Sequence, residues 1–117
     1  MESKDLPNRT KLFAVNVVRL VRALPAEKST DVIAKQLVRS GTSVGANYRA
    51  ACHARSKADF ISKLGIVEEE ADESVYWMEL LVDTGSINIK KVEALIDEGK
   101  QLLKIVSASL VTARSRP

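Results

Sequence analysis

The sequence predicts an all-α protein, an antiparallel up-down-up-down four-helix bundle, with residues 1–117 forming a single domain. Three observations predict it. Apolar residues recur with the 3.6-residue period of a helix in four successive segments. Strand-like alternation is absent, and so are Asn-Gly and Asp-Gly hairpin turns. The segments are joined by about 2–7 residues, a length that favours antiparallel neighbours. An apolar content of 45% over 117 residues suffices for one core and excludes wholesale disorder.

The first helix is expected at about residues 8–24. Phe13, Val17, Leu20, Val21 and Leu24 form its stripe, and Pro25 stops it because a residue before proline avoids the α region. Ser29 or Thr30 is the expected cap of the second helix, about Asp31 to Ala54, with Asp31 favourable at its positive end. The seam of that helix reads Ile33, Leu37, Ser40, Val44, Asn47, Ala51, flanked by the small residues Gly41, Ser43, Gly45 and Ala46. Glycine costs about 1 kcal/mol against alanine inside a helix, so close approach of another helix is the reading for Gly41 and Gly45. Ser56 with Asp59 is a capping-box variant that opens the third helix, about Lys57 to Asp83. Its buried face is Phe60, Leu64, Val67, Ala71, Val75, Met78 and Leu81, and Gly85 suits the left-handed position after its end. Asn88 is the expected cap of the fourth helix, about Ile89 to Ala113. Its apolar face (Val92, Leu95, Ile96, Gly99, Leu102, Leu103, Val106, Leu110) is broad enough for a core and a second contact. The tail from Arg114 is expected to fray.

Charge is segregated. Residues 1–60 hold 11 Lys/Arg against five Asp/Glu, and residues 61–117 hold seven against ten. Val32 to Ala58 contains no acid, yet carries Lys35, Arg39, Arg49, Arg55, Lys57 and His53. Glu68-Glu69-Glu70-Ala71-Asp72-Glu73 follows shortly after. Two readings are open: neighbouring antiparallel helices neutralise each other, or the basic surface binds a polyanion. On the second helix Arg39, Ser43 and Asn47 share a stripe, and on the third Glu70, Glu73 and Trp77 do. These stripes are expected to meet in a buried structural network of Arg39, Ser43, Asn47, Glu70 and Glu73 that sets register. Trp77 beside Tyr76 offers a stacking surface for a base, against the plainer reading of a core or interface tryptophan.

Enzymatic constellations fail on spacing. A di-iron bundle site needs Glu-x-x-His on two helices, and the chain has one histidine with Ala50 three residues before it. Cys52 and His53 are adjacent on a helix and point about 100° apart, which excludes a zinc pair or a Cys/His nucleophile within one chain. Cys52 is read as a small packed residue and His53 as a surface or interface group. No cofactor, metal or small-molecule substrate is expected. No apolar run approaches the ~18 residues of a membrane span, the N-terminus does not read as a signal peptide, and a lone Cys52 fits a reducing compartment, so a cytoplasmic protein is expected.

Two blocks carry a resemblance. Gln36-Leu37-Val38-Arg39-Ser40-Gly41-Thr42-Ser43-Val44-Gly45-Ala46-Asn47 fits the pattern Q-L-x-R-S-x-x-S-[IV]-x-x-N. Ala58-Asp59-Phe60-Ile61-Ser62-Lys63-Leu64, then Glu68, Glu70, Glu73 and Tyr76-Trp77-Met78-Glu79-Leu80-Leu81, fits D-F-x-x-K-L followed by acids and an aromatic-Leu-Leu end. Together, and over nearly the whole chain, these resemble the four-helix-bundle family of 23S rRNA-intervening-sequence (S23-like) proteins. The resemblance implies an all-helical homo-oligomer, a pentameric ring in many members, with no attached enzymatic activity. A related bundle serves diversity-generating retroelements and binds nucleic acid through a basic surface. Many members carry an acid shortly after the Asn, where this chain has Ala50, so Arg49 lacks that near partner.

The reading is therefore a non-catalytic oligomeric helical protein contacting structured RNA or DNA. Its candidate contacts are Lys35, Arg49, His53, Arg55 and Lys57. The alternative is a protein–protein scaffold or accessory subunit without nucleic acid, motivated by the double apolar face of the fourth helix and the small-residue face of the second.

Overall fold

The computed structural model describes residues 5–116. Four helices occupy most of them: α1 (Leu6–Arg22), α2 (Lys28–Cys52), α3 (Lys57–Asp83) and α4 (Glu93–Ser115), with a 3-10 turn at Ile89–Lys91 before α4. No strand occurs among the described residues. Residue pairings show that consecutive helices run in opposite directions. Thr10 faces Gly45 while Val17 faces Gly41. Thr30 meets Ser86 while Ser40 meets Ser74. Glu68 accepts from Ser107 while Glu79 pairs with Lys100. In each pair of helices, higher numbers on one match lower numbers on the other.

The termini of the helices differ from the sequence expectation in instructive ways. Ser56 caps α3 as expected, its hydroxyl accepting from the Asp59 N–H at 3.0 Å. Gly85 adopts φ 78° after α3, the left-handed conformation that terminates helices cheaply only in glycine. Neither Ser29 nor Thr30 caps α2, which starts at Lys28 after an extended Glu27 with no side-chain cap. Thr30 is instead buried, and its hydroxyl lies 3.0 Å from that of Ser86 beyond the end of α3. Asn88 caps the 3-10 turn by accepting from the Lys90 N–H, and α4 starts only at Glu93. The helix α1 ends at Arg22, two residues before the expected boundary.

The core is continuous from Leu6 to Leu110. Phe13, Val17, Leu37, Val44, Leu64, Val67, Met78, Leu81, Leu102, Val106 and Leu110 are fully buried. Fully burying a side chain of this kind stabilises by about 1.5–3 kcal/mol, so this seam dominates stability. Within it, the Ser40 and Ser74 hydroxyls meet at 2.9 Å with no exposure of either residue. The Ser74 hydroxyl also reaches the Glu70 carbonyl (2.8 Å) and the Ser40 hydroxyl the Leu37 carbonyl (3.3 Å). The two protons thus have one bridge and two backbone acceptors to share, and among the described residues no buried side-chain N or O atom lacks a partner.

The helix α1 is seated in notches. A Cβ on Gly41 would lie 2.8 and 2.9 Å from the two methyl groups of Val17, and one on Gly99 would lie 2.9 Å from Val75 and 3.4 Å from Phe13. The expected close approach at the α2 glycines is therefore consumed inside the chain, by α1. Where α1 and α4 diverge they leave an open groove of about 970 Å³ lined by apolar groups including Leu12, Leu20, Leu24 and Leu95. It is bounded by Arg9, which donates from Nε (2.9 Å) and Nη2 (2.7 Å) to the two Glu98 oxygens.

Two glycine substitutions should separate packing from propensity. Gly41→Ala gains about 1 kcal/mol of helix propensity but forces buried, β-branched Val17 to move, an overpacking cost of about 1–3 kcal/mol. Gly65→Ala meets nothing within 4 Å and should stabilise by about 1 kcal/mol. Urea unfolding should show the two midpoints moving in opposite directions, Gly41→Ala downward and Gly65→Ala upward.

Candidate nucleic-acid interface

Antiparallel packing gathers the end of α2, the start of α3, the start of α1 and the end of α4 at one end of the bundle. Four of the five sequence-derived contacts lie there. Arg49 is in the last turn of α2, His53 is its C-cap, Arg55 is in the connection, and Lys57 is the first residue of α3. All four are exposed. Local helix physics explains part of this, since cations favour the negative end of a helix dipole. His53 Nδ1 lies 2.9 Å from the Arg49 carbonyl oxygen, which can only accept, so Nδ1 carries the proton and Nε2 is the ring's remaining polar atom. The fifth residue, Lys35, is exposed on the same outward stripe of α2, five turns before His53. At 1.5 Å per residue it stands roughly 21 Å along the helix from Arg49, outside the cluster.

The sequence reading missed two members of this end. The Lys57 ammonium donates to the Arg116 carbonyl. That contact ties the last residues of α4 to the start of α3 and brings Arg114 and Arg116, both exposed, to the same end. The signal was a basic C-terminal run on a helix antiparallel to one that begins with a lysine. The expected fraying hid it.

The structural network forms in part and not in the core. Arg39 Nη1 donates to Glu70 at 3.1 and 3.2 Å, Nη2 donates to Glu73, and Nε donates to Gln36 at 3.1 Å. Trp77 Nε1 adds a 2.9 Å bond to the same Glu73 oxygen. The hydrogen bond from the Trp77 indole is the chief cause that holds the Glu73 carboxyl below its ordinary value; burial opposes it, and the Arg39 guanidinium adds to the lowering. Glu73 in turn raises Arg39. Yet the Arg39 side chain is 48% exposed, so the expectation of a buried arginine is corrected. The interior at this level is taken by Ser40 and Ser74, and Arg39, one residue further round α2, lies on the rim. Ser43 and Asn47 are not joined to it. Asn47 Nδ2 donates to the Ser43 carbonyl (3.0 Å) and hydroxyl (2.8 Å) within α2. The Ser40–Ser74 register sets these two level with Ala71 and Val67 rather than with the glutamates.

These pairings decide how the acidic run on α3 is used. Glu70 and Glu73 engage Arg39, and Glu68 accepts from Ser107 at 2.6 Å. Helix-to-helix neutralisation is realised at Arg39. No ion pair among the described residues engages Lys35, Arg49, Arg55, Lys57, Arg114 or Arg116.

Tyr48 and Cys52 sit beside this end. Burial and a hydrogen bond to Cys52 push the Tyr48 phenol up to about 12. Cys52 is exposed, which corrects the expectation of a packed thiol: it falls in the last turn of α2, where the helix has passed the end of the seam. Trp77 is half-buried with its ring edge-on to Tyr76, 5.0 Å between centroids. Among the described residues, no three His, Cys, Asp or Glu side chains are grouped to hold a metal ion, and no helix is long and apolar enough to cross a membrane.

Comparison with known proteins places this geometry in context. The family model described as "23S rRNA-intervening sequence protein" matches residues 3–108. Arg114 and Arg116 lie past the matched stretch. A crystal structure of a protein of unknown function from the S23 ribosomal protein family of Bacteroides thetaiotaomicron is similar, with 39% identity, a TM-score of 0.84, and coverage of 90% of this chain and 97% of its own. No curated protein matches the chain.

The Glu73 environment gives a titration with a defined sign. Because the folded-state value lies below the ordinary 4.5, Glu73 contributes stability that is present above that pH and is lost as pH falls through the lowered value. The urea midpoint of Glu73→Gln should lie below that of the wild type at neutral pH, and the gap should close on acidification. Fluorescence of Trp77, the chain's one tryptophan, should change over the same acidic range in the wild type and stay flat in the variant.

Proposed function

The chain belongs to the family of 23S rRNA-intervening sequence proteins, and we propose that it is a non-catalytic, self-associating helical protein that holds structured RNA or duplex DNA against the basic end of its bundle. The family is one of unknown function and is not a known enzyme family. One observation supports the reading above others. Arg49, Arg55, Lys57, Arg114 and Arg116 converge on one end, beside the one acid Asp59 in the first turn of α3, and make no ion pair among the described residues, while Glu70 and Glu73 engage Arg39 and Glu68 engages Ser107. Solvent-facing cations outside ion pairs suit phosphate contacts, whose free energy comes largely from counterion release.

Self-association rests on a different observation, the α1/α4 groove of about 970 Å³. Leu12 is 56% exposed on it. A groove of that apolar character is covered by another protein surface more readily than by phosphate. It equally supports the alternative of a scaffold or accessory subunit that binds protein alone. The α1 helix covers the small-residue face of α2 at Gly41 and Gly45 and leaves Ala46 exposed.

A gel-shift titration with an RNA hairpin and a DNA duplex should show binding at low salt that weakens as salt rises, with a log–log slope of about −0.9 per phosphate contacted on duplex. Arg49→Gln combined with Arg55→Gln should weaken binding to all sequences and flatten the slope by about two. Arg39→Ala, which removes a cation already engaged by glutamates, should leave affinity unchanged. Absence of any shift at low salt with either nucleic acid overturns the reading, and capture of protein that survives nuclease treatment then favours the scaffold.

In sedimentation the wild type should exceed its 12.8 kDa monomer mass and Leu12→Glu should fall towards it with helicity intact. A wild-type monomer removes self-association.

A further inference from the structure

Between α1 and α2, at the basic end, lies a second groove of about 440 Å³. That volume falls within the ~300–1,000 Å³ of pockets that take small ligands. Its lining combines two kinds of chemistry. Lys11, Arg49 and His53 supply cationic and polar groups, and among the described residues no Asp or Glu lines it. Ala14, Ala46 and Tyr48 supply apolar surface between them. The α1 helix itself carries no Asp or Glu, and the Asp5 carboxylate just before it accepts from Asn8 Nδ2 at 2.9 Å. Ala14, Gly45 and Ala46 are small, and Tyr48, which also lines the groove, is half-buried.

We propose that this groove receives one unpaired nucleotide of a bound RNA or DNA, its base or sugar between α1 and α2 and its phosphate on Arg49 and Lys11. The inference rests on the nucleic-acid reading above and adds a preference to it. A phosphate alone has no use for the apolar walls. An apolar peptide side chain has no use for a cationic rim free of acids. A base inside a continuous duplex is stacked between its neighbours and cannot enter, whereas a bulged or single-stranded one presents its flat faces. His53 assists through Nε2, which its Nδ1 bond to the Arg49 carbonyl leaves available to a hydroxyl or exocyclic amine.

The test compares two hairpins of equal length and charge, one fully paired and one with a single bulged nucleotide, in fluorescence-anisotropy titrations. The wild type should bind the bulged form about tenfold more tightly, the scale of one protein–base stacking contact. Ala46→Phe on the α2 wall and Ala14→Leu on the α1 wall fill the groove without changing charge, and either should abolish that preference while retaining affinity for the paired hairpin. Circular dichroism checks that each variant folds, and the wild-type preference stands as a measurement that needs no variant. Equal affinity for the two hairpins, or a preference that both folded, groove-filled variants keep, overturns the groove proposal and leaves the basic-end reading intact. Binding to neither hairpin at low salt overturns both. Binding of a free nucleoside monophosphate as tight as that of the bulged hairpin also overturns it, since the groove is then a small-molecule pocket.

Discussion

The alignment of α2 against α3 rests on hydroxyl contacts more than on apolar ones. Ser40 with Ser74 in the interior fastens the two longest helices, and Thr30, ten residues earlier on α2, meets Ser86 just beyond the end of α3. Apolar seams tolerate sliding by a turn, because leucine against valine differs little from leucine against leucine. A buried hydroxyl does not tolerate it, because a slip leaves the group without its partner at a cost of about 1–3 kcal/mol. Everything at the basic end follows from that alignment. It places Arg39 beside Glu70 and Glu73, and it sets the α2–α3 connection at the level where α4 finishes and Arg116 meets Lys57.

Much of the architecture was legible because it depends on periodicity. The apolar stripes of α3 and α4 are the buried faces observed, and the Ser56 and Gly85 signals mark real helix ends. What escaped the sequence depends on partners far along the chain. Thr30 and Asn88 look like helix caps locally, yet Thr30 has Ser86 to bond and Asn88 serves a short 3-10 turn. Ser74 directly follows the acids Asp72 and Glu73, and its burial follows only from Ser40 across the interface. Pairing of Arg39 with two glutamates was readable from stripe positions, whereas its exposure was not, since one residue of rotation separates the interior from the rim. The α4 arginines needed the third dimension entirely: nothing local says that Arg116 ends beside Lys57.

Charge in this protein is sorted by position rather than by amount. A net +3 is mild, and the eight acids of α3 outnumber the four Lys/Arg of α2. Glu68, Glu70 and Glu73, however, are spent in the middle of the bundle on Arg39, Trp77 and Ser107. At the end, Lys57 donates to the Arg116 carbonyl, and no ion pair among the described residues engages Arg49, Arg55, Arg114 or Arg116. The field at that end is set by a few local groups rather than by bulk charge.

The seating of α1 has a dynamic consequence. It is the shortest helix and buries four residues, against seven for α2 and for α3, and its hold comes from Phe13 and Val17 lodged at glycine notches and from the Arg9–Glu98 fork. Its amides are therefore the ones expected to exchange with solvent by the lowest-energy opening, with the α2–α3–α4 hairpins intact. The α1/α4 groove and the α1/α2 groove both have α1 as a wall. Whatever occupies either one leans on the least anchored element, so occupancy tightens the whole fold by linkage, and the same helix makes each groove sensitive to what fills the other.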